Sequence, residues 1–134
     1  MTLITYCNTA KLTATTMAAL FKVSGIHRPV DDLDRLAQML THADILWTAW
    51  DDQRLVGIAR VLTDFSYTAY LSDLAVDRAY QKQGIGRELV RHLEHQLGPD
   101  VAVVLLAAPT AQTYYPKIGF ESIDNAFLKR RSPF

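Results

Sequence analysis

Apolar positions along the chain switch between two periods. Residues 69–76, Ala-Tyr-Leu-Ser-Asp-Leu-Ala-Val, form an extended apolar run. Beyond them Leu89, Leu93 and Leu97 recur every four residues, which is helix spacing. Earlier, residues 3–6 make a short β-prone run. Residues 13–23 carry Met17, Leu20, Phe21 and Val23 as an amphipathic helix, closed by Ser24-Gly25 and a turn at Arg28-Pro29. Asp31 or Asp32 caps a second helix whose Leu33, Leu36, Ala37 and Leu40 share a face; the acidic residues there suit its positive end. Residues 45–50 and 54–62 read as a hairpin around Asp51-Asp52-Gln53. A turn at residues 63–66 leads into the strand ending at Val76.

Gly98-Pro99 stops the helix that follows. Residues 101–106, Val-Ala-Val-Val-Leu-Leu, are continuously apolar, as for a strand buried on both faces. Thr110 is placed to cap a short helix bearing Tyr114, Tyr115 and Ile118, with short terminal strands expected at 120–123 and 126–129. The order predicts an α/β fold with a mixed sheet: antiparallel strands first, then a right-handed parallel strand–helix–strand unit over 71–106. A dinucleotide-binding βαβ fold would instead begin at its glycine loop.

Length and charge narrow the classes. A chain of 134 residues fits one domain, here 1–134, with a sizeable core. Fourteen basic residues balance fourteen acidic ones, so wholesale nucleic-acid or membrane binding is not expected. No stretch approaches a membrane span and the start lacks a signal-peptide pattern. The single cysteine, Cys7, suits a reducing, cytoplasmic setting. His92 and His95 sit three apart on the long helix without an evident third ligand. They read as a helical face, and no metal is expected.

Between the strand and the helix lies Gln81-Lys82-Gln83-Gly84-Ile85-Gly86-Arg87-Glu88. A strand that feeds a glycine loop opening a helix aims unpaired N–H groups and a positive dipole end at one point, where anions bind. It lacks the lysine-serine/threonine ending of a P-loop. About thirty residues on stands Tyr114-Tyr115-Pro116-Lys117-Ile118-Gly119-Phe120. Together these motifs resemble the GNAT (Gcn5-related) N-acetyltransferase superfamily. Its loop reads Gln or Arg, two residues, Gly, one residue, Gly or Ala; its later signature reads aromatic-Tyr-x-Lys-x-Gly-Phe. In element order the resemblance runs from about residue 45 to 120, and the chain looks like the small single-domain bacterial members.

The resemblance implies an acetyl-CoA-dependent N-acetyltransferase with a V-shaped opening between the two parallel strands. CoA would be held by Leu74, Ala75 and Val76 through their backbone, and by Gln81, Lys82, Gln83, Gly84, Ile85, Gly86 and Arg87 around the pyrophosphate. Lys82 and Arg87 would bind phosphate directly or simply be solvated. A primary amine of a small molecule or peptide would attack the thioester directly in a ternary complex. A backbone N–H near Val76 would stabilise the oxyanion. Tyr115 would be the general acid for the departing thiolate, against the alternative of a packed aromatic; Tyr114 would belong to the core. Asp73 is a candidate base, with a structural hydrogen bond as the alternative; Asp64 and Glu121 are weaker candidates. Two positions depart from the family pattern: Ala108 replaces a common CoA-contacting asparagine, and Pro116 interrupts the final short helix. The acceptor pocket would lie between the N-terminal helices and the turn near Phe65, Tyr67 and Tyr70. A homodimer fits family habit. The alternative function is a non-catalytic acyl-CoA-binding sensor or interaction module.

Overall fold

Alternating apolar residues build one five-stranded sheet in the computed structural model, which describes residues 3–134. The strands are β1 (Ile4–Cys7), β2 (Ile45–Asp51), β3 (Arg54–Thr63), β4 (Thr68–Val76) and β5 (Ala102–Val104), and they lie side by side in that order. Neighbours are antiparallel except β4 and β5, which run parallel. Helices α1 (Ala14–Ser24) and α2 (Leu33–Thr41) precede β2, and α3 (Ile85–Leu97) makes the crossover from β4 to β5. Thr13 caps α1 by accepting from Thr16 N–H, and Asp32 caps α2 by accepting from Arg35 N–H.

Each face of the sheet has its own core. Ile85, Leu89, Val90, Leu93 and Leu97 of α3 pack with Ala49, Val56, Ala59, Val61, Ala69 and Leu71. Met17, Leu20 and Phe21 of α1 and Leu36 of α2 pack with Ile58 and Ala75 on the other side.

Strand β4 changes faces along its length. Arg60 stands opposite Asp73 and Val61 opposite Leu71, so Ser72 has no opposite residue on β3 and forms a bulge. A one-residue slip sends later side chains to the other face. Ala69 and Leu71, before the bulge, join the α3 core; Ala75, after it, joins the α1–α2 core. The bulge also bends the strand. Only Thr68–Tyr70 pair with β5, leaving residues 71–76 without a partner on that side. The opening expected from the resemblance is therefore present.

The C-terminal part departs from the sequence expectations. β5 is shorter than 101–106, and Val104 and Leu106 are 38% and 53% exposed, so the strand is not buried on both faces. It is the last strand of the sheet, paired only with β4 among the described residues. Residues 120–134 form no strand. They are held by side chains instead: Phe120 packs against the α3 core and lies edge-on to Tyr115, and Phe134 stacks on His27 with ring centroids 4.4 Å apart. The expected helix near Tyr114 is two 3₁₀ turns, Pro109–Ala111 and Tyr115–Ile118. Thr110 lies within the first, which has no side-chain cap. Pro116 sits in the first turn of the second, where a missing N–H costs no hydrogen bond.

Candidate active site

The glycine loop leaves a row of donors unused. After a 3₁₀ turn, Arg78–Tyr80, the chain passes Lys82 at φ +65° and reaches Gly84 at φ +84°, the N-cap of α3. This left-handed geometry costs glycine nothing and other residues about 1 kcal/mol. No side chain caps α3. The first helical bond is from Glu88 N–H to Gly84 C=O, and the N–H groups of residues 82–87 donate to no backbone carbonyl. A Cβ added at Gly84 would meet nothing within 4 Å, so the loop opens onto free space. Gln81 does not enter that row. Its side-chain amide donates to Val76 C=O at 2.9 Å and ties the loop to the end of β4. Ile85 offers only its backbone, because its side chain is buried against β3.

Gly86 has a different reason to be glycine. A Cβ there would lie 2.7 Å from the Tyr114 hydroxyl oxygen and 3.9 Å from the Leu74 side chain. The start of α3, the splayed half of β4 and the Tyr114–Tyr115 turn thus converge at Gly86. Arg87 fastens the same junction by donating to Lys117 C=O at 3.1 Å. Lys82 and Gln83 are exposed at the loop rim.

The backbone of β4 faces the opening at alternate residues. Asp77 N–H donates to Val56 C=O. By the alternation of an antiparallel ladder, Ala75 bonds toward β3, while Leu74 and Val76 direct their polar groups into the gap. Of the three residues expected to use their backbone, Leu74 and Val76 therefore face it and Ala75 faces away.

Tyr115 is half-buried beside this gap. Its ring meets Tyr114 and Phe120 edge-on, at 5.3 and 5.6 Å between centroids. Its hydroxyl makes no hydrogen bond among the described residues. Burial raises its pKa above the ordinary phenol value and nearby Tyr114 adds to that, while the charge of Arg28 lowers it. The phenol therefore stays protonated at neutral pH, the state a proton donor needs.

Asp73 lies at the bulge, fully buried, with both carboxylate oxygens engaged. Arg28 Nε donates to Oδ1 at 2.5 Å, and Arg60 Nε donates to Oδ2. Arg28 Nη2 also donates to Ser72 C=O at 2.8 Å, and Arg60 Nη2 donates to Ser72 Oγ at 2.9 Å. Two guanidinium groups thus clamp the bulged residue and its neighbour. Asp64, by contrast, sits at the β3–β4 turn, where its Oδ1 accepts the N–H groups of Ser66, Tyr67 and Thr68. These three bonds hold its pKa below the ordinary carboxylate value.

Sequence reasoning missed Arg28, Arg60 and the contact of Tyr114 with Gly86. Arg60 did carry a signal: a charge inside Val56-Gly57-Ile58-Ala59-Arg60-Val61 demands a buried partner. Arg28 carried none, since its partner lies 45 positions away.

The chain is similar to known proteins. A family model described as "Acetyltransferase (GNAT) domain" matches residues 21–134. The histone acetyltransferase TAP1 of Glycine max is 34% identical over 74 residues, 54% of this chain and 32% of that protein. The chain thus spans about a third of that relative's length. Among solved structures, a Staphylococcus aureus protein of unknown function, described as a probable acetyltransferase, superposes with a TM-score of 0.81. The two are 23% identical, and the match covers 98% of this chain and all of that one. AAC(6')-Iy, solved with the bisubstrate analog CoA-S-monomethyl-acetylneamine, gives 0.71 at 16% identity, covering 98% and 99% of the two chains. These likenesses carry the fold, and the family match reaches from α1 through the glycine loop and both tyrosines: the chain belongs to the GNAT acetyltransferase family.

Proposed function

We propose that the chain is an N-acetyltransferase that moves an acetyl group from acetyl-CoA to a primary amine of a small molecule or peptide, by direct attack in a ternary complex. One observation carries the reading. An unpaired half-strand and a loop of unused N–H groups meet the Tyr114–Tyr115 turn at Gly86, and the Tyr115 hydroxyl is left without a hydrogen bond among the described residues. The residues present fit a CoA-type ligand. The N–H groups of residues 82–87 and the α3 dipole suit a pyrophosphate, with space above Gly84. The backbone of Leu74 and the second lone pair of Val76 C=O, whose first accepts from Gln81, suit the amides of a pantetheine arm.

Acetyl-CoA, when bound, supplies the activated acetyl thioester. The protein's groups do the rest. Val76 N–H is a preorganised donor for a developing oxyanion. Tyr115 holds a proton at its hydroxyl and delivers it to the leaving thiolate. Asp73 has both oxygens committed to guanidinium groups, so we assign it the role of an anchor that keeps the bulge, and with it the opening, in place. The amine is deprotonated by solvent or by its own equilibrium with water. We further propose that the chain works in the cytoplasm as a homodimer. The open edge of β5 and the 98% exposed Phe127 favour a second copy.

The test is Tyr115→Phe. Turnover should fall by about 100-fold while acetyl-CoA affinity, measured by calorimetry, stays nearly constant. Lost affinity with unchanged turnover would contradict the acid role. Tight acetyl-CoA binding with no acetylated amine would favour a sensor module instead.

A further inference from the structure

The loop between α1 and α2 brings unusual charge to the opening. Arg28 and Arg60 share the single carboxylate of Asp73, so the buried cluster carries a surplus positive charge. Arg60 is buried, so the N–H groups it does not give to Asp73, Ser72 and Met39 C=O are out of reach of a ligand. Arg28 is 27% exposed. Its guanidinium gives one N–H each to Asp73, Ser72 C=O and His27 C=O. A guanidinium has five N–H groups, so one hydrogen on each of Nη1 and Nη2 is left without an acceptor among the described residues. Arg28 also lies close enough to Tyr115 for its charge to reach that hydroxyl. A second guanidinium reinforces the sign: Arg78 packs against Gly25 of the same loop, where an added Cβ would come within 2.3 Å of it. No carboxylate among the described residues pairs with Arg78. The loop is braced, with Pro29 buried and His27 stacked on Phe134 at an interplanar angle of 11°.

We infer that Arg28 is a specificity-determining residue that reads an anion on the acceptor, so the preferred acceptor is a small amine carrying a carboxylate or phosphate close to its amino group. The inference rests on the acetyltransferase reading above. An unspent pair of guanidinium donors is matched in geometry by a carboxylate or phosphate. The same positive charge disfavours the ammonium form of the incoming amine, which helps it arrive neutral.

The experiment uses matched acceptor pairs: glycine with glycinamide, β-alanine with β-alaninamide, and O-phosphoethanolamine with 2-methoxyethylamine. CoA release is followed with a thiol reagent, and acetyl-CoA affinity is measured separately. The wild-type protein should favour the anionic member of at least one pair by about ten-fold or more in kcat/KM, chiefly through KM. The pair it favours separates carboxylate from phosphate recognition. Arg28→Gln should reduce that preference to about two-fold or less, with a clearly smaller loss for the neutral member than for the anionic one. Arg28→Lys should retain part of it, since charge survives but the fork does not. Thermal melting identifies a variant that fails to fold, in which case Arg28→Lys decides. Equal treatment of both members by the wild type overturns the inference, including use of neither while acetyl-CoA binds. So does an equal loss for both members in a folded Arg28→Gln protein. Failure to bind acetyl-CoA would instead overturn the acetyltransferase reading itself.

Discussion

The phenol of Tyr115 is held above its ordinary pKa by burial and by Tyr114, with Arg28 pulling the other way. Its neutral form is the one favoured in the folded protein. The acid is therefore fully loaded below the ordinary phenol value and is lost only as pH rises through the higher folded one. The alkaline fall in kcat should lie above about pH 10, and Tyr115→Phe should lack it. A pH–rate profile for both proteins checks this. Asp73 has a separate signature. Asp73→Asn leaves Arg28 and Arg60 without a countercharge in a buried site, at a cost of about 3 kcal/mol of stability in urea denaturation. A base would instead lose turnover at unchanged stability. Tyr115 was legible in the sequence because its neighbours up to Phe120 form a contiguous motif. For Asp73 a structural hydrogen bond was among the readings, but its partners were not legible, because they depend on a bulge and on an arginine 45 positions away.

At the scale of elements, the loop and the bulge cooperate. The loop turns β4 into α3 through the left-handed Gly84, and the bulge at Ser72 carries the strand away from β5. Gly84→Val should raise the Kd for acetyl-CoA by about ten-fold or more. It places a branched side chain in the open space above the loop, at a φ that such residues resist. Isothermal titration measures this, and unaltered affinity would sink the pyrophosphate-loop reading. The sequence indicated α1, α2, α3 and the first four strands well, because their apolar periods are long and their caps are local. Asp32, one of the two expected positions, caps α2. The short C-terminal strands were misread. An apolar run such as 126–129 specifies a strand only if it reaches an edge, and here the flanking Phe120 packs against the α3 core and Phe134 stacks on His27. The bulge was invisible, since no residue type demands one at Ser72.

For the whole molecule, the two cores divide the labour. The α3 side holds the glycine loop, and the α1–α2 side brings Arg28 to the mouth of the opening. Donor and acceptor would then approach through elements of opposite faces that meet at β4. The uncovered β5 edge and the exposed Leu106, Ile123 and Phe127 predict a dimer, seen as twice the monomer mass in light scattering. Fold class followed from element order alone, whereas the charge at the opening required three-dimensional contacts between β3, β4 and the α1–α2 loop. The most direct test of the central claim is CoA release from acetyl-CoA with and without an amine panel, in wild-type protein and Tyr115→Phe. Acetyl transfer at this opening predicts release that depends on the amine and falls by about 100-fold in the variant, with acetyl-CoA still bound. Acetyl-CoA binding without amine-dependent release from the wild type would contradict it.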